Sequence, residues 1–179
     1  GIDTNTIIGF KSAEAATTLD INSVVANSDS NDLEVTNVTN LTVDTAKEAV
    51  FDNTKLSGAT DVTFKAAAQI ETGVISDEAT NDTLKNVTVS STSTSTGDTV
   101  TVGNITATTL ETVNVSGVKE VKLGTTTNST KLSSVTVSSS DDKATADNIG
   151  SATVTKLNTV SVTGKLATEA KTVDALEIG

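Results

Sequence analysis

Leu110–Gly124, LETVNVSGVKEVKLG, holds two copies of one phrase: an apolar residue, two others, then two apolar residues separated by one polar residue. Leu110, Val113 and Val115 make the first copy, and Val118, Val121 and Leu123 the second. Alternation over the last three positions is the period of a strand with one buried face. Gly117 and Gly124 close the copies, where positive φ costs a glycine little and the chain can turn a corner.

Outward from this stretch the phrase recurs as Val38-x-x-Leu41-x-Val43, Ala59-x-x-Val62-x-Phe64, Leu84-x-x-Val87-x-Val89, Leu132-x-x-Val135-x-Val137 and Leu157-x-x-Val160-x-Val162. A weaker copy ends at Ile21, and Val173-x-x-Leu176-x-Ile178 breaks off in mid-pattern at Gly179, as expected of an array cut within a repeat. Leu33 and Val35 add a strand just before Val38. The strands so marked end on Val35, Val43, Phe64, Val89, Val102, Val115, Leu123, Val137, Val154, Val162 and Ile178. A short interval, as between Val115 and Leu123, makes a short strand and a tight corner. A longer one, as between Val102 and Val115, is the same strand with a longer loop. Three such sides give a coil of roughly 21–25 residues, within the range of stacked repeats.

The expected fold is therefore all-β: a parallel β-solenoid with irregular coils and variable loops. The competing architecture is an antiparallel β-sandwich, which also shows short strands between frequent turns. Against it stand the missing Trp, Tyr and Pro and the constant two-residue spacer before each strand. Residues 1–32 read as an N-terminal strand and loop segment that caps the array, and residues 33–179 as its repetitive body. Two segments are expected to be helical: one turn over Lys11–Ala16, and about two turns over Lys65–Glu71 (KAAAQIE). Asp44–Phe51 is open between a capped short helix and a further strand, with spacing favouring the strand. The runs Ser90–Thr96 and Ser138–Asp142 are expected to be exposed loops, being too polar for a core.

Composition narrows the chemistry. Of 179 residues, 35% are hydrophobic and 2% aromatic, so the core must be assembled from Val, Leu, Ile and Ala. With no Cys and no His, the chain has no disulfide, no thiolate or imidazole metal ligand, and no serine–histidine machinery. The net charge of −11, carried against 12 lysines and no arginine, disfavours nucleic acid and anionic membrane as partners. No run is apolar and long enough for membrane insertion. Parallel β-helices host polysaccharide-cleaving enzymes, but this chain has no Arg to clamp a uronate and no Tyr or Trp to stack a sugar. It reads as a non-enzyme.

The copies LETVNVSG, LNTVSVTG, LKNVTVSS and LSSVTVSS resemble the Thr- and Val-rich body of bacterial surface-layer (S-layer) proteins and of large surface proteins exported by type I secretion. The resemblance covers Leu33 to Gly179 and is one of phrase, without an anchoring or catalytic motif. It implies a β-rich array in an extracellular, cell-surface location, a structural role, and calcium as a lattice ligand. The family's calcium repeat G-G-x-G-x-D is missing here.

Three acidic loops are the candidate Ca²⁺ sites: Asp29 with Asp32; Asp77 and Glu78 with Asp82; Asp141 and Asp142 with Asp147. Calcium takes six to eight oxygen ligands and suits such loops, though none has EF-hand spacing. Asn37, Asn40, Asn81, Asn86, Asn104, Asn114 and Asn128 lie in Asn-x-Ser/Thr sequons, and Asn114 is expected to point outward. The expected function is a structural, self-assembling segment of an exported surface protein, whose partners are copies of itself and a surface polysaccharide. The alternative is an adhesin or receptor-binding module that presents its Ser/Thr-rich loops to a host ligand.

Overall fold

The computed structural model describes residues 8–21, 32–79, 82–126, 129–149 and 157–165. It is a β-solenoid of about six turns, all-β and parallel, with no helix among the described residues. The sandwich reading is thereby set aside.

Each coil visits three sides in order. β1 (Ile8–Ile21) pairs in parallel with β2 (Asp32–Thr45), placing Phe10 beside Val35 and Leu19 beside Leu41. β2 is two sides in one run, because Asn37 turns the chain with φ 60°. β3 (Ala49–Val50) supplies the third side. The next coil comprises β4 (Asn53–Ser57), β5 (Asp61–Ala66) and β6 (Ile70–Glu71), and the next β7 (Val74–Asp77), β8 (Asn86–Ser91) and β9 (Val100–Val102). β10 (Ile105–Thr106), β11 (Thr112–Gly117) and β12 (Val121–Leu123) follow. The isolated bridge residue Thr126 then leads to β13 (Ser134–Ser139) and β14 (Ala144–Ala146), and Ile149 to β15 (Thr159–Gly164).

From β2 onward the phrase marks one side of each coil; the second copy in the opening stretch, Val118-x-x-Val121-x-Leu123, falls instead on the third side as β12, with Val121 and Leu123 buried and Val118 only half-buried. Leu41, Val62, Val87, Val113, Val135 and Val160 stack in register; the shortest step runs from Leu41 to Val62 and the longest from Val87 to Val113. Val43, Phe64, Val89, Val115, Val137 and Val162 form the second inward column. The leading residues of the phrase, Val38, Ala59, Leu84, Leu110 and Leu132, are buried at the preceding corner. The spacer after them makes a ladder of its own: Thr60 N donates to Thr39 O (2.7 Å), Lys85 N to Thr60 O (2.9 Å), and Glu111 N to Lys85 O (2.8 Å). That ladder holds the spacer at constant length; the two-residue corners at 51–52, 72–73, 103–104 and 124–125 are laddered in the same way, and length varies at the other corners. The coil from Ile75 to Ile105 is longer than its neighbours because both the 78–85 and 92–99 excursions fall within it.

Among the described side chains the interior is mainly aliphatic, with Phe51 and Phe64 meeting at 6.0 Å and 55°. Thr54 and Thr72 are fully buried in it, and Thr54 Oγ1 donates to the carbonyl of Thr72 at 2.9 Å. A buried hydroxyl is tolerated when it finds such a partner.

Four local expectations are corrected. Lys65–Glu71 is not helical: Lys65 and Ala66 end β5, and Ile70 and Glu71 form β6. An isolated two-turn helix is marginal, whereas the neighbouring coils offer Ser90, Ser91 and Val100 as ready ladder partners. Lys11–Ala16 is strand, absorbed by β1 with a register shift rather than a helical turn. Ser90–Ser91 and Ser138–Ser139 belong to β8 and β13, and Ser91 and Ser139 are buried. They sit where the chain leaves one side for the next. There Ser91 Oγ donates to Ala68 O (2.7 Å) and Ser139 Oγ to Lys119 O (2.8 Å), satisfying corner carbonyls of the preceding coil.

Gly117 and Gly124 do not use positive φ; that conformation belongs to Asn37, Gly58, Gly73 and Gly97. They are there for room. A Cβ at 117 would lie 2.9 Å from Val121 Cγ2 and 3.0 Å from Val100 Cγ2, and one at 124 would lie 2.8 Å from the Gly103 carbonyl carbon. Gly73, by contrast, needs both properties, since φ is 58° and a Cβ would run into the Asp52 carbonyl. Asp44–Phe51 resolves as the end of β2, a corner, and β3, with Ala49 and Phe51 buried.

Candidate functional site

Among the described residues, the acids singled out from sequence are not gathered into one cluster, and most are engaged locally or by a neighbouring coil. At the end of β7 the Asp77 carboxylate accepts from the backbone of Ala79 (3.1 Å), Thr83 (2.5 Å) and Leu84 (2.9 Å). It thus organises the detour that returns the chain to the buried Leu84. Glu78 is exposed and accepts from the Ser76 hydroxyl at 2.9 Å. Asp82 reaches the following coil instead, accepting from Thr108 N at 2.6 Å. One loop therefore holds three carboxylates with three separate sets of partners.

Asp32, at the start of β2, accepts from Asn53 Nδ2 (2.8 Å) and from Lys55 Nζ (2.9 Å), and the same ammonium reaches Glu34 at 3.2 Å. Lys55 first, then Asn53, hold the Asp32 carboxyl below its ordinary range, and the two acids raise Lys55. Asp29 lies outside the described residues.

Asp141 sits between Lys165 (2.8 Å) and Lys119 (2.9 Å), which come from the coils on either side. Those two ammonium groups, Lys165 foremost, lower its pKa to about 2. Asp142 accepts from Lys143 N at 2.8 Å, and Asp147 is exposed, its backbone N–H donating to Leu123 O at 2.9 Å. Among the described residues no group of three or more acidic side chains is gathered closely enough to hold a metal ion.

Sequence reading passed over Glu120. Its carboxylate, 19% exposed, meets Lys143 (2.8 Å) and Lys122 (3.3 Å), and Lys143 is the main cause of its lowered pKa. No local pattern signals this pair, because Lys143 comes from the following coil. Solvent-screened ion pairs of this kind contribute little to stability individually. Their greater effect here is geometric: Lys119–Asp141–Lys165, Asp32–Lys55 and Glu120–Lys143 each tie one coil to the next.

The Ser/Thr loop after β8 is also pinned. Ser93 is buried, donates to Asp98 Oδ2 at 2.5 Å and accepts from Ser95 N at 3.2 Å, leaving Thr94, Ser95, Thr96 and Gly97 as the exposed tip. Among the sequons, Asn114 points outward and is exposed, as expected. Asn86 donates to Asp61 (2.6 Å), Asn104 accepts from Thr125 N (2.9 Å), and Asn37 is an exposed corner. Asn40 is half-buried, and Asn81 and Asn128 lie outside the described residues. The concave surface beside Lys55 is a shallow groove lined by Glu34, Thr36, Ser57 and Glu78.

What this arrangement does chemically is hold coils in register: carboxylates cap loops or bridge rungs, and hydroxyls cap corners. No helix is long and apolar enough to cross a membrane among the described residues. Comparison with protein-family models, with curated proteins and with solved structures finds no match.

Proposed function

We propose that this chain is a structural, self-assembling segment of an exported cell-surface protein, a lattice or stalk unit whose product is shape. The observation that carries the reading is the uninterrupted stack. The same inward columns run in register from β2 to β15. A parallel stack adds about 4.8 Å per rung by repeating one pairing, so it extends naturally in one dimension. Investment of side-chain chemistry in coil-to-coil ties also supports this role, since it stiffens a rod without building a cleft.

Ca²⁺ enters this reading as a bridge between copies, where carboxylates of two chains at net −11 would otherwise repel. Purified protein is expected to form filaments or sheets visible by negative-stain electron microscopy. CaCl₂ is expected to promote them more than MgCl₂ or NaCl of matched ionic strength, because bridging requires ligands and screening requires only ions. A chain that stays monomeric in all three salts at high concentration contradicts the proposal. Identical assembly in all three removes calcium and keeps the lattice.

A further inference from the structure

The outward face of the side formed by β8, β11, β13 and β15 is a regular grid without a charge. Each of the four strands has three outward positions, and every one of them is Ser, Thr or Asn, in a chain where 20% of residues are charged. The rungs pair without a register shift, so the grid is ordered in both directions: Thr88, Asn114, Thr136 and Ser161 form its central column. None of these four side chains makes a hydrogen bond within the described residues, so their donors and acceptors face outward unspent. Charges return at the margins. Lys85–Glu111 borders one edge, Lys119–Asp141–Lys165 the other, and Asp61 and Lys65 the preceding rung.

A charge-depleted centre with a charged rim is the anatomy of a protein interface. We infer that this grid is the lateral contact through which a second copy of the chain docks, face to face. The inference deepens the self-assembly proposal and rests on it.

Three properties point to a second copy as the occupant. Two copies at net −11 repel each other overall, and that repulsion is weakest across a patch that carries no carboxylate. Hydroxyls and amides both donate and accept, so a grid of them is complementary to itself about a two-fold axis. Rows spaced at about 4.8 Å are matched along their whole length only by a surface of the same pitch, which another β-stack supplies. A glycan partner fits less well: Phe51 and Phe64 are buried, and the grid offers no aromatic platform.

Four rungs and three alternate positions span roughly 14 by 13 Å between outermost Cα atoms, or about 400 Å² with side chains included. That is about half of the roughly 800 Å² per partner found in stable complexes. A single pair is therefore weak, and strength comes from repetition along the stack.

The chain has no cysteine, so a single introduced thiol reports the contact cleanly. Asn114→Cys lies in the central column on a central strand, close to the two-fold axis, where Cα atoms can come within disulfide range. Thr106→Cys, exposed on β10 of a different side, is the control. Under mild oxidation the Asn114→Cys chain should form covalent dimers roughly tenfold faster, because docking raises the effective thiol concentration. Adding Thr88→Lys and Thr136→Lys should bring that rate down to the control's without changing the thermal melt. Equal rates for the two thiols overturn this face. If the unmodified chain still assembles by light scattering, the lattice survives on another surface; if it does not, both proposals fall. Fast trapping at position 114 without any assembly supports the face and sinks the lattice.

Discussion

Gly117→Ala tests whether corner glycines are selected for room rather than for backbone freedom. The new Cβ would stand 2.9 Å from Val121 Cγ2 and 3.0 Å from Val100 Cγ2. Both valines are buried and β-branched, at 0% and 2% exposure, so neither can swing its methyl aside without leaving its preferred rotamer. Overpacking a filled site costs about 1–3 kcal/mol. Replacing glycine also narrows the unfolded ensemble, which returns about 0.4–1 kcal/mol. The expected net loss is about 1.5 kcal/mol, or roughly 3–6 °C in Tm for a chain of this size. Val121→Ala alone should cost on the order of 2 kcal/mol through lost burial and the cavity left behind. It also removes one of the two clashing methyls. The double variant should therefore be less destabilised than the sum of the singles by about 1 kcal/mol, a coupling that a double-mutant cycle resolves. Urea unfolding followed by circular dichroism measures all four proteins. Gly97→Ala is the contrast: φ is 101° with nothing within 4 Å of the new Cβ, so its penalty is conformational and should not respond to Val121→Ala. Strict additivity for Gly117→Ala with Val121→Ala, or a gain in stability on Gly117→Ala alone, refutes the steric account.

Val115→Asp should prevent folding or cost several kcal/mol, because Val115 is 0% exposed and a carboxylate there has no partner. Asn114→Asp, one residue away and facing water, should leave the Tm almost unchanged; similar losses for the pair would contradict the strand phase. Asp77→Ala should cost about 1.5–3 kcal/mol, since three backbone donors lose a charged acceptor, and hydrogen exchange should quicken at Thr83 and Leu84. Protection at those amides unchanged by the substitution would mean that the loop is held otherwise. Asp141 has a folded pKa lowered to about 2, so its contribution is complete above the ordinary carboxylate range and lost as pH falls toward 2. Asp141→Asn should flatten the acid side of the stability profile between about pH 4 and 2, and an unchanged slope there would show the Lys119–Asp141–Lys165 bridge to be idle. Deleting Thr94–Thr96, the exposed tip of a loop pinned by Ser93 and Asp98, should leave a cooperative melt, because shortening a corner loop changes closure entropy little.

The sequence by itself determined the strand phase on the side that carries the phrase, and on the third side at Val100, Val102, Val121 and Leu123. In LETVNVSG the alternation of Val113 and Val115 with polar neighbours says which side chains go inward, because side-chain direction in a strand is a local, two-residue property. It also implied a three-sided coil of about the right length, and it placed Asn114 outward. Coil membership was not legible in the same way. Leu56, Ile75 and Ile105 build another side, yet β4, β7 and β10 lack the phrase: Thr54 stands inward opposite Ile75, Thr126 opposite Ile149, and the exit corners 58–60, 78–85 and 107–111 differ in length. Stacking also decided everything that depends on residues a full coil away. It drew Lys65–Glu71 into strands, buried Ser91 and Ser139 to cap carbonyls of the preceding coil, and emptied position 117 of a side chain to clear Val100 and Val121. The acidic residues show the same division. Their clustering in sequence suggested shared metal sites, but Asp82 answers Thr108, Asp32 answers Lys55, and Asp141 answers Lys119 and Lys165. Alternation is set by the pleat of a single strand, whereas partners are set by which coil comes to rest above and below, and only the folded stack makes that choice.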